Sequence, residues 1–257
     1  MDLIKRFEIK NPSGQKIVGE FGSTDYSKKQ PAIIICSGHG GIMRQPQINY
    51  LAEGLAKNGY TTVSFDQTDA NGESDGRIIN GTVGSYLKNL HTVINYIDKK
   101  PFINSNQISL FGTSVGGMIG YLVAAEDNRI KSLVLHEPVY HFKQSQEERH
   151  NMNKWKTDGY RTYKSGTTGL VYKIGWNYYV EGITHDDIGA VKRLRCPTLI
   201  ITGTKDKIMR KYSEELLNNL QTKKNIIILE DAPHTLRKEE HMQEELNHIV
   251  SWLDETL

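Results

Sequence analysis

Long hydrophobic runs are missing from this sequence of 257 residues. The longest apolar segments, at 32–36 and 226–229, are far too short to span a bilayer, which takes about 20 residues. The mean hydropathy of −0.52 agrees, and the N-terminus lacks the apolar core of a secretory signal. We therefore expect a cytoplasmic protein without a membrane span.

An excess of charge of one sign is also missing, and cysteine is scarce. The 32 basic and 30 acidic residues leave a formal net charge of +2, so we expect no nucleic-acid partner. The two cysteines, Cys36 and Cys196, form no C-x-x-C motif. Each borders an apolar run, which indicates packing residues in a reducing compartment.

Short apolar runs alternate with longer amphipathic stretches along most of the chain. A hairpin predicted over residues 4–21 is followed by six such runs, at 32–36, 62–65, 108–111, 133–135, 198–202 and 226–229. Uninterrupted apolar strands are typical of a parallel sheet covered on both faces. Helical periodicity over 82–98 and from about Lys238 completes the pattern, which predicts a three-layer α/β sandwich. In the last helix, His241 and His248 are expected at the surface.

Residues 139–189 interrupt this alternation. They contain no clean apolar strand and are rich in tyrosine and tryptophan. About fifty irregular residues inside a compact domain predict a functional insertion, here a lid, on a core formed by 1–138 and 190–257. Between Val139 and Val180, seven lysines and arginines stand against three acids, which fits either anionic substrates or a solvated face.

The pattern G-x-S-x-G occurs twice, around Ser74 and around Ser114. Ser114 follows a predicted strand and precedes a helical segment, which is the strand–turn–helix context of a nucleophile elbow. Ser74 lies in turn-forming sequence beyond the end of a strand. Ser114 is therefore the candidate nucleophile.

A serine nucleophile needs an adjacent base that a third group holds in the correct tautomer. Asp206 and His234 follow the last two predicted strands, so they are expected at the same edge of the sheet as Ser114. Their order after the serine is that of a Ser-Asp-His triad. Glu137, which also follows a strand, and Asp231 are alternative acids.

A glycine-rich loop, Ser37-Gly38-His39-Gly40-Gly41, follows the first apolar run of the sheet. Glycines allow close approach of the backbone to a substrate, and we expect the N–H groups of His39 and Val115 to form an oxyanion hole. The alternative, a phosphate-binding loop, lacks the required lysine.

A metal site is disfavoured. The segment beginning at His136 fails the H-E-x-x-H spacing, because Tyr140 occupies the place of the second histidine. We expect neither a metal nor a cofactor.

Taken in order, these motifs resemble those of the α/β-hydrolase superfamily. The matching segments are 36–41, 65–76, 112–116, 196–206 and 232–234. Within that superfamily, the chain most resembles small bacterial carboxylesterases of the cinnamoyl and feruloyl esterase group and monoacylglycerol-lipase-like hydrolases. The resemblance implies an α/β-hydrolase fold, with a mostly parallel sheet flanked by helices and a short inserted lid. One departure is Ser37, where many relatives carry histidine.

The expected function is therefore hydrolysis of small to medium acyl esters, including aromatic ones, through an acyl-enzyme on Ser114. The same triad would serve a carbon–carbon bond hydrolase, a thioesterase or a peptidase. A catalytically silent homologue that only binds a ligand is the non-enzyme alternative. The expected partner is a small-molecule ester, and the sequence leaves a homodimer open.

Overall fold

An eight-stranded sheet lies at the centre of the structure, a computed structural model that describes residues 3–165 and 169–257. Two further strands, β7 and β8, form a separate hairpin. In chain order, all the strands of the described residues are β1 (Leu3–Lys10), β2 (Lys16–Ser23), β3 (Gln30–Cys36), β4 (Thr61–Phe65), β5 (Ile103–Thr113), β6 (Ile130–His136), β7 (Tyr160–Lys164), β8 (Val171–Gly175), β9 (Thr198–Gly203) and β10 (Lys224–Leu229). The sheet order is β1-β2-β4-β3-β5-β6-β9-β10. All neighbours pair in parallel except at β2, which is antiparallel to both β1 and β4.

Helices connect the parallel strands. They are α1 (Pro46–Lys57), α2 (Val83–Ile97), α3 (Val115–Ala124), α4 (Phe142–Arg149), α5 (Met152–Asp158), α6 (Trp176–Gly182), α7 (Asp187–Arg193), α8 (Lys207–Asn219) and α9 (Glu239–Thr256), with a short 3₁₀ helix at Ile78–Asn80. Helix α2 begins at a capping box, in which Ser85 N–H donates to Thr82 Oγ1 and Thr82 N–H donates to Ser85 Oγ. The predicted α/β-hydrolase fold, with a mostly parallel sheet flanked by helices, is confirmed.

Two apolar cores lie on opposite faces of the sheet, because successive strand side chains point to opposite sides. On β3, Ile33 and Ile35 pack into the core that α1 and α9 cover, whereas Ile34 and Cys36 pack into the core that α2 and α3 cover. This explains why the apolar run of β3 is uninterrupted from Ala32 to Cys36. Both Cys36 and Cys196 are free and buried, as expected of packing residues.

The connections reverse direction between β3 and β5. The chain leaves β3 through α1 to β4 on one side and then crosses back through α2 to β5 on the other side. The loops that follow β3 and β5 therefore separate and leave a crevice at the carboxyl edge of the sheet, where open α/β sheets bind their ligands.

The segment between β6 and β9 contains α4, α5, α6 and a separate hairpin formed by β7 and β8. The hairpin was not predicted, since its strands mix polar, aromatic and aliphatic residues instead of forming an apolar run. Trp155 anchors this segment: its side chain is 1% exposed and its Nε1–H donates to the carbonyl of Ile174 at 3.0 Å. The extent of the lid, 139–189, stays a prediction.

The final helix contains one correction. The structure buries His241 to 7% exposure, so its predicted surface position is wrong. His241 lies in the first turn of α9, beside the apolar face rather than opposite it. Within the described ranges, no helix has the length and apolar character needed to cross a membrane.

Candidate active site

Ser114 lies at a sharp turn between β5 and α3 with φ 55° and ψ −122°, a backbone conformation that non-glycine residues rarely adopt. Tight packing surrounds this turn. A Cβ atom at Gly116 would lie 2.1 Å from the carbonyl oxygen of Cys36, and one at Gly112 would lie 2.4 Å from the carbonyl oxygen of Gly116. Only glycine fits at these two positions, so the glycines of the motif let the turn pack directly against β3.

Asp206 and His234 form a hydrogen-bonded pair. Nδ1 of His234 lies 2.7 Å from Oδ2 of Asp206, while Oδ1 of Asp206 accepts a hydrogen bond from Met209 N–H at the start of α8. Burial raises the pKa of Asp206, but the hydrogen bond and charge of His234 outweigh burial and hold it below its ordinary value. One carboxylate thus caps a helix and orients an imidazole.

The five residues predicted from the sequence come together around one cavity of about 310 Å³. Its walls include Ser114, Asp206, His234, His39 and Val115. Among residues 3–165 and 169–257, Ser114 Oγ forms no hydrogen bond with His234, although both side chains line this cavity. Catalytic hydrogen bonds often tighten only when substrate binds, so an open pair is compatible with the predicted role of His234 as the base.

The glycine-rich loop after β3 lies directly against the candidate nucleophile. A Cβ atom at Gly38 would lie 3.1 Å from Cβ of Ser114. The next residue, His39, is enclosed, and neither of its ring nitrogens has a hydrogen-bond partner in the described part of the chain. Burial, with a contribution from the charge of Arg161, lowers the pKa of His39 to about 3. The ring is therefore neutral and keeps one N–H, and the backbone N–H is a second donor that this residue offers.

The N–H of Val115 lies in the first turn of α3, where backbone N–H groups lack intrahelical acceptors. The helix dipole adds partial positive charge at the same end. Val115, from α3, and His39, from the loop after β3, both line the cavity that contains Ser114, so their role as an oxyanion hole stays a prediction.

A second carboxylate lies beside the pair. Glu137 is fully buried at the end of β6 and accepts hydrogen bonds from Thr202 Oγ1 at 2.8 Å and Gly203 N–H at 2.6 Å. Burial raises its pKa, and the nearby charge of Asp206 adds to the effect. Glu137, Asp206 and His234 offer ligand atoms within 4.8 Å of one another. Because their hydrogen bonds already engage Nδ1 of His234 and both carboxylates, we expect this group to orient the imidazole and not to hold a metal.

A buried ion pair supports the loop that carries His234. His136 Nε2 lies 3.3 Å from the carbonyl oxygen of His234, and His136 Nδ1 lies 2.6 Å from Glu245 Oε1 on α9, although the latter two atoms are not aligned for a hydrogen bond. Burial lowers the pKa of His136, but the contact with Glu245, the charge of Glu137 and the bond to the His234 carbonyl together outweigh burial and raise it to about 9. Sequence reasoning missed this pair.

The other G-x-S-x-G serine has a structural role. Ser74 Oγ accepts a hydrogen bond from Val18 N–H at 2.9 Å and donates one to the carbonyl of Asp66 at 2.7 Å. These bonds attach its loop to β2 and to the end of β4. Ser74 is absent from the walls of the cavity that contains Ser114.

Two arginines, Arg149 and Arg161, also line the cavity, and sequence reasoning did not single them out. The available signal was the excess of basic residues between Val139 and Val180. Net charge alone does not tell which of seven cations turns inward.

The tight packing at Gly116 predicts that Gly116→Ala destabilises the protein by about 1–3 kcal/mol, because the new methyl group would overlap the backbone of β3. Gly120→Ala on the same helix is the control. Its Cβ would meet only Leu133 Cδ1, at 3.6 Å, so helix propensity should stabilise it by about 0.5–1 kcal/mol. Urea denaturation measures both free energies of unfolding, and equal effects would contradict the packing argument.

The His136–Glu245 pair predicts a pH-dependent contribution to stability. A histidine whose pKa is about 9 when folded and 6.5 when unfolded stabilises the fold fully below pH 6.5 and loses this effect as the pH rises through 9. The difference in unfolding free energy between wild type and Glu245→Gln should therefore shrink by about 1–3 kcal/mol from pH 6.5 to pH 9. Glu244→Gln, at an exposed neighbouring position, should show a constant difference. A constant difference for Glu245→Gln as well would refute the pair's role.

Comparison with known proteins places the chain in a family. The profile of the prolyl oligopeptidase family matches residues 55–257. A 31.7 kDa Escherichia coli protein from the traX-finO intergenic region is 35% identical over 106 residues, which are 41% of this chain and 36% of that protein, so the match spans about a third of the relative's length. Mitochondrial palmitoyl-protein thioesterase ABHD10 of Bos taurus is 23% identical over 223 residues, 84% of this chain and 70% of that protein.

The solved structure of Est1E from Butyrivibrio proteoclasticus with bound ferulic acid superposes with a TM-score of 0.81 at 20% identity, covering 97% of this chain and 98% of Est1E. A likeness at this identity supports the fold. The resemblance to α/β-hydrolases is thus confirmed, and the chain belongs to the prolyl oligopeptidase family.

Proposed function

We propose that this protein hydrolyses carboxylic esters of small to medium size through a Ser114–His234–Asp206 triad. The observation that carries the proposal is the convergence of a strained elbow serine and a hydrogen-bonded Asp206–His234 pair on one cavity. A merely structural glycine turn would need neither the unfavourable backbone at Ser114 nor an imidazole facing the same space.

The proposed reaction is a two-step acyl transfer. Ser114 Oγ attacks the ester carbonyl while His234 accepts its proton, and the resulting oxyanion is stabilised by the N–H groups of His39 and Val115. His234 then protonates the leaving alcohol as the carbon–oxygen bond breaks. A water molecule attacks the acyl-enzyme with His234 again as base, which releases the acid and restores the serine.

The environment of the imidazole supports these roles. Asp206 is held ionised by its hydrogen bonds, so it stabilises the imidazolium that forms in each step. Glu137, whose pKa is raised, lies behind this pair and acts as a positioning group. Each oxyanion N–H contributes on the order of 2.7–4 kcal/mol to the transition state.

Residues 139–189 are proposed to act as the lid that selects substrate. The cavity of about 310 Å³ lies at the small end of the range for ligand sites, which favours short acyl groups over long ones. Tyr178 and Ile174 from this segment line it, which suits an apolar or aromatic part of the substrate. The structure of Est1E with ferulic acid is consistent with an aromatic substrate.

Thioester hydrolysis is the second candidate. It is favoured by the similarity to palmitoyl-protein thioesterase ABHD10, which extends over 84% of this chain. The same triad and oxyanion hole would serve this reaction, because only the leaving atom differs. Rates with matched butanoyl esters and butanoyl thioesters distinguish the two, since the preferred class should show the higher kcat/KM.

The triad predicts that Ser114→Ala lowers kcat for 4-nitrophenyl butyrate by about 10⁴-fold or more, because no other group can form the acyl-enzyme. The control is Ser74→Ala, which removes the serine of the second G-x-S-x-G motif and should retain activity while losing stability from its two broken hydrogen bonds. Release of 4-nitrophenol gives the rate. Wild-type turnover in Ser114→Ala would rule the mechanism out.

The two carboxylates near His234 can be told apart by mutation. Asp206→Asn should lower kcat by about 10⁴-fold, because asparagine preserves the cap of α8 but stabilises the wrong imidazole tautomer. Glu137→Gln should lower kcat by less than about tenfold, since Glu137 does not hydrogen-bond to the imidazole. The opposite order of effects would make Glu137 the triad acid.

A further inference from the structure

Two arginine side chains of the region between β6 and β9 line the cavity that contains Ser114. Arg149 ends α4 and Arg161 lies on β7. Neither forms an ion pair with a carboxylate of residues 3–165 or 169–257, and Nε of Arg161 is enclosed without a hydrogen-bond partner in those ranges. Arginines are seldom buried without an acidic partner.

The protein holds both guanidinium groups in place without neutralising them. The Arg161 guanidinium lies over the ring of buried Trp155, 4.7 Å from its centroid. Nε of Arg149 donates to the carbonyl of Ser145 at 2.8 Å, and Nη1 lies 3.9 Å from Sδ of Met209. These contacts are to π-electrons, a carbonyl and a thioether, so the positive charge of each arginine remains uncompensated.

The electrostatic potential of the cavity is consequently positive beside Ser114. Burial, together with the charge of Arg149, lowers the pKa of Arg161 to about 10, so this guanidinium remains charged at neutral pH. The charge of Arg161 reaches His39 in the oxyanion loop, whose pKa it helps to lower. The charge of Arg149 reaches Asp206, although that carboxylate is hydrogen-bonded to His234. Two neighbouring cations in a partly buried cavity are stabilised when a bound ligand supplies the missing negative charge.

We propose that Arg149 and Arg161 bind a carboxylate carried by the substrate, so that the preferred substrates are esters with a negatively charged end. The planar guanidinium forms paired hydrogen bonds to a carboxylate, which orient the substrate as well as attract it. This inference rests on the proposed esterase function and adds the chemical class of its substrate. The carboxylate belongs either to the acyl part, as in the half-ester of a dicarboxylic acid, or to the alcohol part.

Matched ester pairs test the proposal. The acyl arm compares 4-nitrophenyl hydrogen adipate with 4-nitrophenyl hexanoate, which have acyl chains of equal length. The alcohol arm compares 4-(hexanoyloxy)benzoate with phenyl hexanoate. In at least one arm, wild-type kcat/KM, corrected for spontaneous hydrolysis, should be at least tenfold higher for the anionic ester, and the arm that shows this identifies the side that carries the charge.

Variants then assign the preference to the arginines. Arg161→Gln and Arg149→Gln should each lower the ratio of kcat/KM between the anionic and the neutral ester by at least tenfold. Lys164→Gln is the matched control, because it removes one positive charge from the same strand at an exposed position, and it should leave the ratio unchanged. Circular dichroism verifies that each variant is folded.

A wild-type measurement covers the case in which an arginine variant does not fold. Adipate should inhibit hexanoate hydrolysis competitively and at least tenfold more strongly than the neutral adipamide. The inference would be overturned by a kcat/KM ratio near one between the anionic and the neutral ester in both arms, or by equal inhibition by adipate and adipamide. In that case hydrolysis of the hexanoate esters through Ser114 would still stand. Failure to hydrolyse either ester of both pairs, or hydrolysis that survives Ser114→Ala, would instead reject the proposed function.

Discussion

The close contact between the elbow at Ser114 and the end of β3 is the constraint on which the rest of the site depends. The backbone of Gly116 packs so near the carbonyl of Cys36 that no side chain fits between them. This contact holds Ser114 in an unfavourable conformation at the edge of the sheet, and the same contact brings the glycine-rich loop alongside it. The proposed nucleophile and oxyanion donors thus follow the neighbouring parallel strands β3 and β5, whose connections diverge, so the crevice between them follows from topology.

The environment of the imidazole shows how two similar carboxylates acquire different properties. Asp206 shares its oxygens between His234 and a helix N-terminus, and its pKa is lowered; Glu137 is more deeply buried, and its pKa is raised. Two ionised carboxylates this close would repel each other, so burial of one favours ionisation of the other. The His136–Glu245 pair beneath them supports the backbone of the His234 loop and keeps it in place.

Much of the fold was predictable because its signals are local. Apolar runs marked the parallel strands, 3.6-residue periodicity marked α2 and α9, and position after a strand suggested Asp206 and His234. The rest depends on tertiary contacts that no short window contains. His136 meets Glu245 only because α9 packs under β6, His241 is buried by neighbours outside its own helix, and the β7–β8 hairpin lacks an apolar pattern. The lid boundaries and the catalytic roles stay predictions that await measurement.

Arg149 and Arg161 lie on a different part of the chain from the proposed catalytic residues, so we expect catalysis and substrate selection to depend on different segments. In the proposed mechanism, the sheet and its loops provide a serine, a base and oxyanion donors, which act on any activated acyl group. The charges proposed to distinguish one substrate from another come from the segment between β6 and β9, where the Arg161 guanidinium lies over the buried ring of Trp155. Since loops tolerate change better than the sheet that supports them, such a segment can alter its charge without disturbing the elbow. Proteins with the same fold can therefore act on different substrates, and in this chain the proposed substrate preference depends on the two uncompensated arginines.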